Sequence, residues 1–81
     1  MARILIRASI NGPSPNTKQQ DLRKILERNG LRRIGTGAYE GSMSMAGAYA
    51  VLGLALEFFK GLPEGFELDH LWTYVDQTDA E

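Results

Sequence analysis

The chain has 81 residues, enough for one domain that buries a limited share of its surface and gains from oligomerising. Hydrophobic residues at 43% with only three prolines exclude a disordered chain, and the absence of cysteine excludes a disulfide framework, thiol catalysis and zinc-thiolate sites. The net charge of −1 hides a division: residues 1–40 carry eight Arg and Lys against three acidic residues, whereas residues 41–81 carry Lys60 alone against seven.

In chain order, Met1-Ala2-Arg3 leads straight into an alternating run with none of the features of a signal peptide, so a cytoplasmic protein is expected. Arg3 to Ile10 reads as a strand, with Ile4, Ile6, Ala8 and Ile10 on one face and Arg3, Leu5, Arg7 and Ser9 on the other. Residues 11–16 form a turn-rich loop whose prolines stop either element from continuing. A helix follows, capped by Asn16 or Thr17 and running to about Asn29, with Leu22, Ile25, Leu26 and Asn29 on one stripe. Gly30 closes it. Leu31 to Tyr39 alternates like a strand, but Gly35 and Gly37 favour one broken by a bulge or sharp bend. Ser42 and Ser44 are alternative caps for the next helix.

That second helix, Met45 to Lys60, carries only Glu57 and Lys60 as charges. Tyr49, Leu52, Leu56 and Phe59 line one face, and Val51, Leu54, Ala55 and Phe58 widen the apolar zone, so the helix should be covered on more than one side, with a partner chain as the second cover. Its apolar run is too short to span a bilayer, and no membrane partner is expected. Gly61, Pro63 and Gly65 end it. Phe66 to Val75 then forms a last strand, with Leu71, Thr73 and Val75 opposing His70, Trp72 and Tyr74, and residues 77–81 read as a frayed polar tail.

This order suggests a single α+β domain over residues 1–81, a ferredoxin-like βαββαβ sandwich, in which the outer strands of the chain are antiparallel neighbours and both helices cover one face. If the isoleucines face the helices, Arg3 and Arg7 share the open face with His70, Trp72 and Tyr74. Cations beside aromatics can neutralise and stack single-stranded RNA or DNA. The same face can equally pack against a second subunit. The charge division is likewise open to two readings: a nucleic-acid footprint, or two halves of a chain or dimer that attract each other.

At residues 30–41 the chain resembles the family joining virulence-associated protein D (VapD) with CRISPR-associated protein 2. The family pattern is a helix-ending Gly, then Arg-x-Gln-x-Ser-Val-aromatic, commonly followed by Glu or a small turn residue and Gly. Here Gly30, Arg33, Gly35, Gly37, Ala38, Tyr39 and Glu40-Gly41 occupy those places, with Gly, Gly and Ala where the family has Gln, Ser and Val. The long helix of small and apolar residues and the Pro-x-Gly-Phe segment at Pro63 to Phe66 are similar to VapD in particular. The resemblance implies a ferredoxin-like homodimer associated with nucleic acid, of toxin-antitoxin kind, with a cognate toxin or antitoxin as a further partner. It also implies a metal-dependent endoribonuclease whose ligand is an Asp ending the first strand, a position held here by Ser9. A neutral hydroxyl is a poor ligand for Mg²⁺, so RNA cleavage is in doubt and no cofactor is expected unless the protein is a nuclease.

The site residues expected on these grounds are Ser9 and Asn11 in a catalytic cleft, and Arg3, Arg7, Arg32, Arg33, Trp72 and Tyr74 on nucleic acid. Arg32-Arg33 can clamp a phosphate or simply charge a strand edge. His70 follows Asp69, yet neighbours on a strand point to opposite faces, so His70 reads as a structural or interface residue and no Ser-His-Asp arrangement is expected. Gly35-Thr36-Gly37 lacks the Gly and Lys of a phosphate loop. Asp76, Asp79 and Glu81 could collect a cation or form an acidic tail. The competing class is a non-catalytic protein-interaction module or antitoxin on the same scaffold.

Overall fold

The computed structural model describes residues 1–77, in the order β1 (Ala2–Asn11), α1 (Pro15–Arg28), β2 (Arg32–Gly35), β3 (Ala38–Met43), α2 (Met45–Lys60) and β4 (Glu67–Gln77). The acidic positions 79 and 81 therefore lie outside the described residues, and Gln77 belongs to β4 rather than to a tail.

Strand alternation in β1 is translated directly into burial: Ala2, Ile4, Ile6, Ala8 and Ile10 are all buried, and the residues between them are not. Ala2, Ile4, Ile6 and Ala8 pack with Leu22 and Leu26 of α1 and Ala48, Val51 and Ala55 of α2, so both helices cover one face of the sheet. Each large aliphatic side chain buried there contributes about 1.5–3 kcal/mol relative to exposure.

Helix α1 starts two or three residues earlier than the capping residues Asn16 and Thr17 suggest. Ser14 is the cap position, without a side-chain cap bond, and Pro15 opens the helix. Proline suits that place because its missing N–H would have had no partner there. The Thr17 N–H donates to the Ser14 carbonyl at 3.1 Å, which makes Thr17 part of the first turn. The exit follows the sequence: Gly30 has φ +95°, its N–H donates to the Glu27 carbonyl at 3.3 Å, and Leu31 N–H donates to the Leu26 carbonyl at 3.0 Å. This pair of bonds satisfies the last helical carbonyls and turns Leu31 into the core.

The break foreseen between Leu31 and Tyr39 is a complete hairpin. Thr36 and Gly37 reverse the chain between β2 and β3, and Glu40-Gly41-Ser42 continue β3. Gly37 has φ +67°, and a Cβ there would stand 2.5 Å from the Ala8 carbonyl oxygen, so the turn needs glycine twice over. The Ala8 N–H donates to the Gly37 carbonyl at 2.9 Å, which pins the hairpin tip to β1. Ser42 is a strand residue, and Ser44 alone caps α2, its Oγ accepting from Gly47 N–H at 3.0 Å.

The sheet order is β2-β3-β1-β4, with each neighbouring pair antiparallel. This is an α+β fold of a four-stranded antiparallel sheet and two helices, compatible with a small ferredoxin-like domain. The face that α2 buries differs from the large-residue stripe expected of it. Ala48, Val51 and Ala55 go inward, while Tyr49 and Leu56 are 62% and 48% exposed. Small residues at the contact let a helix sit close to the layer beneath it.

Candidate functional site

The register puts one set of side chains on the face away from the helices. Leu5 pairs with Tyr74, Arg7 with Trp72 and Ser9 with His70 across β1 and β4. Arg3 pairs with Ser42, Leu5 with Glu40 and Arg7 with Ala38 across β1 and β3, and Arg32 pairs with Glu40 across β2 and β3. Paired residues share a face, so alternation alone brings Arg3, Arg7, Ser9, Arg32, Trp72 and Tyr74 to one surface.

Trp72 and Tyr74 are 51% and 40% exposed, with rings 7° from parallel and centroids 6.2 Å apart. The Arg3 guanidinium carbon lies 5.8 Å from the Tyr74 ring centre, within cation-π range. The Tyr74 hydroxyl donates to Asp76 Oδ2 at 2.7 Å, and this bond with the Asp76 charge raises the phenol above its ordinary 10.0. Arg3 and Arg32 reach Glu40 at 3.8 and 3.5 Å, exposed pairs of the kind that contribute about 0–1 kcal/mol and exchange readily for another anion. Arg7 has no ion-pair partner among the described residues.

Two concavities meet at Arg7. On the sheet, a groove of about 510 Å³ is lined by Leu5, Ile34, Ala38 and Trp72 with Arg7 at its side. At the end of β1, a more polar cleft of about 590 Å³ is lined by Arg7, Ser9, His70, Asn16, Gln19 and Thr36. The Gln19 amide nitrogen donates to the Ala8 carbonyl at 3.5 Å, whereas its oxygen is buried without a partner. Such an orphaned acceptor costs about 1–3 kcal/mol.

Two expected members stand apart. Arg33 pairs with the buried Tyr39 and lines a separate concavity of about 260 Å³ with Arg23 and Gln20 beside α1, on the side away from Arg3, Arg7 and Arg32. Ile34, the next residue of β2, alternates back to the open face and lines the groove there. Asn11 pairs with Glu67 beyond the cleft and does not line it. Burial also raises the phenol of Tyr39 above its ordinary value, against the lowering effect of Arg23 and Arg33.

The expectation that Asp69 points away from His70 fails, because the register of β1 and β4 shifts between Ser9 and Ile10. Ser9 pairs with His70 but Ile10 with Leu68, leaving Asp69 as the extra residue of a β-bulge. Asp69 Oδ2 consequently lies 3.4 Å from His70 Nδ1, and Ser9, His70 and Asp69 share one neighbourhood. A bulge leaves little trace in the local pattern of a strand, so no residue type announced this arrangement.

A hard cation such as Mg²⁺ requires several oxygen ligands, preferably carboxylates. The cleft around Ser9 is lined by the Arg7 cation, an imidazole, hydroxyls and amides, with no carboxylate. Among the described residues, no group of three or more His, Asp and Glu comes together. This donor set does not fit Mg²⁺.

Among the described residues, no helix is long and apolar enough to cross a membrane. The sequence matches no protein-family model and no curated relative.

Proposed function

We propose that the protein binds single-stranded RNA across its open sheet face. The carrying observation is the exposed, parallel Trp72 and Tyr74 pair beside Arg3 and the unpaired Arg7. Aromatic platforms stack bases with about 1–3 kcal/mol each, and the neighbouring cations neutralise the backbone. The VapD and CRISPR-associated protein 2 resemblance supports the same class: a cytoplasmic, dimeric, toxin-antitoxin-like protein whose further activity would be endoribonucleolytic, with RNA favoured over DNA as substrate.

Salt titration of binding tests this. For single strands the logarithm of affinity falls with that of salt by about 0.7 per neutralised phosphate. Arg3, Arg7 and Arg32, if each takes one phosphate, give a slope near −2, so affinity drops roughly twentyfold when salt is raised fourfold. A flat response, or no binding at low salt, rejects the reading.

A second reading, a protein-interaction module or antitoxin, has its own observation. Tyr49, Leu54 and Leu56 of α2 are exposed, and β4 is a long edge strand with one side unpaired. Edges of this kind accept another strand, including that of a second copy. Light scattering at micromolar protein tests the homodimer, and a mass near 9.0 kDa refutes it.

A further inference from the structure

We propose that the cleft at the end of β1 is a metal-independent ribonucleolytic site, with His70 as general base, Asp69 as its positioning residue and Arg7 as the group that holds the phosphate. The proposal rests on RNA binding by the open face and gives the nuclease activity named above a mechanism and the residues that perform it.

The geometry comes from three features that arise separately. The bulge at Asp69 puts a carboxylate 3.4 Å from His70 Nδ1. A carboxylate there favours the tautomer with its proton on Nδ1 and leaves Nε2 as the acceptor. The contact is long and exposed, as such contacts often are before substrate displaces water. His70 and Trp72 are alternate residues of β4 on one face, roughly 7 Å apart along the strand, so a strand stacked on Trp72 extends naturally toward His70. Arg7 lines both the apolar groove under Trp72 and the polar cleft at His70, so a strand that crosses from one to the other passes it.

The step balances without a metal. The ribose 2′-oxygen attacks the adjacent phosphorus while its proton passes to His70 Nε2. The new bond is 2′-O–P, and the P–O5′ bond breaks to leave a 2′,3′-cyclic phosphate. The proton is returned through water to the departing 5′-oxygen. Arg7, and the Ser9 hydroxyl opposite His70, stand where the non-bridging oxygens gain charge, so they stabilise the transition state more than the substrate.

The test is incubation of oligouridylate and its 2′-deoxy counterpart with the full chain in EDTA, with products read by mass spectrometry and binding measured in parallel. The expected result is cleavage of the ribose form alone, with cyclic-phosphate ends. His70→Gln should lower the rate by about 10²–10⁴-fold, the usual range for acid–base catalysis, with RNA affinity kept. Added imidazole should restore part of the activity to His70→Ala, and Asp69→Asn should lower kcat with KM unchanged. Wild-type protein that binds RNA yet leaves it intact in EDTA overturns the proposal while sparing the binding function. Cleavage at an undiminished rate by His70→Gln overturns it as well. Failure to bind RNA removes both.

Discussion

Trp72 is the only tryptophan in the chain and occupies the centre of the proposed stacking surface, so one substitution and one spectroscopic probe address the same atoms. Replacing it with alanine removes a ring that is half exposed and stacked on Tyr74, and leaves the buried core untouched. The aromatic pair itself contributes about 0.5–1.5 kcal/mol to folding at most, less here because both rings face water. Loss of base stacking, by contrast, should cost about 1–3 kcal/mol of binding, or about a fivefold to 150-fold weaker Kd. Tyr74→Phe separates ring from hydroxyl: it keeps the stack, breaks the bond to Asp76, and should bind within about threefold of wild type, since no phosphate contact is assigned to that hydroxyl. Titration of Trp72 fluorescence with oligouridylate, alongside anisotropy of labelled RNA for Trp72→Ala, gives both numbers. If RNA saturates the protein without changing the fluorescence and Trp72→Ala binds as tightly as wild type, the open face is not the binding surface.

Arg7→Ala should reduce the salt slope of RNA binding by about 0.7, measured as the change in the double-logarithmic plot, whereas Arg33→Ala, on the other side of the sheet, should leave it unchanged. Gly37→Ala should destabilise the fold by about 1–3 kcal/mol from the backbone conformation alone. The clash with the Ala8 carbonyl adds to this, and urea denaturation reads the sum. Ser44→Ala should cost about 1 kcal/mol through loss of the α2 cap, seen in the same measurement. Tyr39 ionises above 10.0 in the folded chain, so the folded form holds its proton where the unfolded form has lost it. Its stabilising contribution is complete below pH 10 and disappears as pH rises through the raised value; Tyr39→Phe should make the alkaline fall in stability shallower, with Tyr74 retaining a part of it.

What a strand or helix does by its own period was legible in the sequence. The Ile4, Ile6, Ala8 and Ile10 alternation and the Gly30 exit are local, and both appear where the residues place them. Two strands between the helices followed from the βαββαβ order, but the place of their turn did not, because Gly35 and Gly37 carry no side chains whose alternation would reveal a reversal; the pairing of Ala38 to Met43 with β1 fixes it. The orientation of α2 was hidden for the opposite reason. Apolar residues surround it, so the pattern does not choose a face, and the fit of Ala48 and Ala55 against the sheet decides. Most of the open-face residues followed once β1 was oriented, since cross-strand partners must share its sides. The Asp69 contact with His70 depended on a local register shift between β1 and β4, which arises from pairing between distant segments.

Strand β1 stands between β3 and β4 in the sheet, and Ile4 is paired with Gly41 on one side and Val75 on the other. Strand β1 is thus made before both of its neighbours, and β4 is the later of the two. Until β4 is made, an isoleucine-rich strand has one ladder of unsatisfied amides and carbonyls, able to recruit a strand from another nascent chain. Closing that long loop comes late and sets the pace of folding. Yield on expression should therefore depend on how quickly β4 arrives, and a chain shortened before β4 should aggregate rather than accumulate as a smaller folded unit.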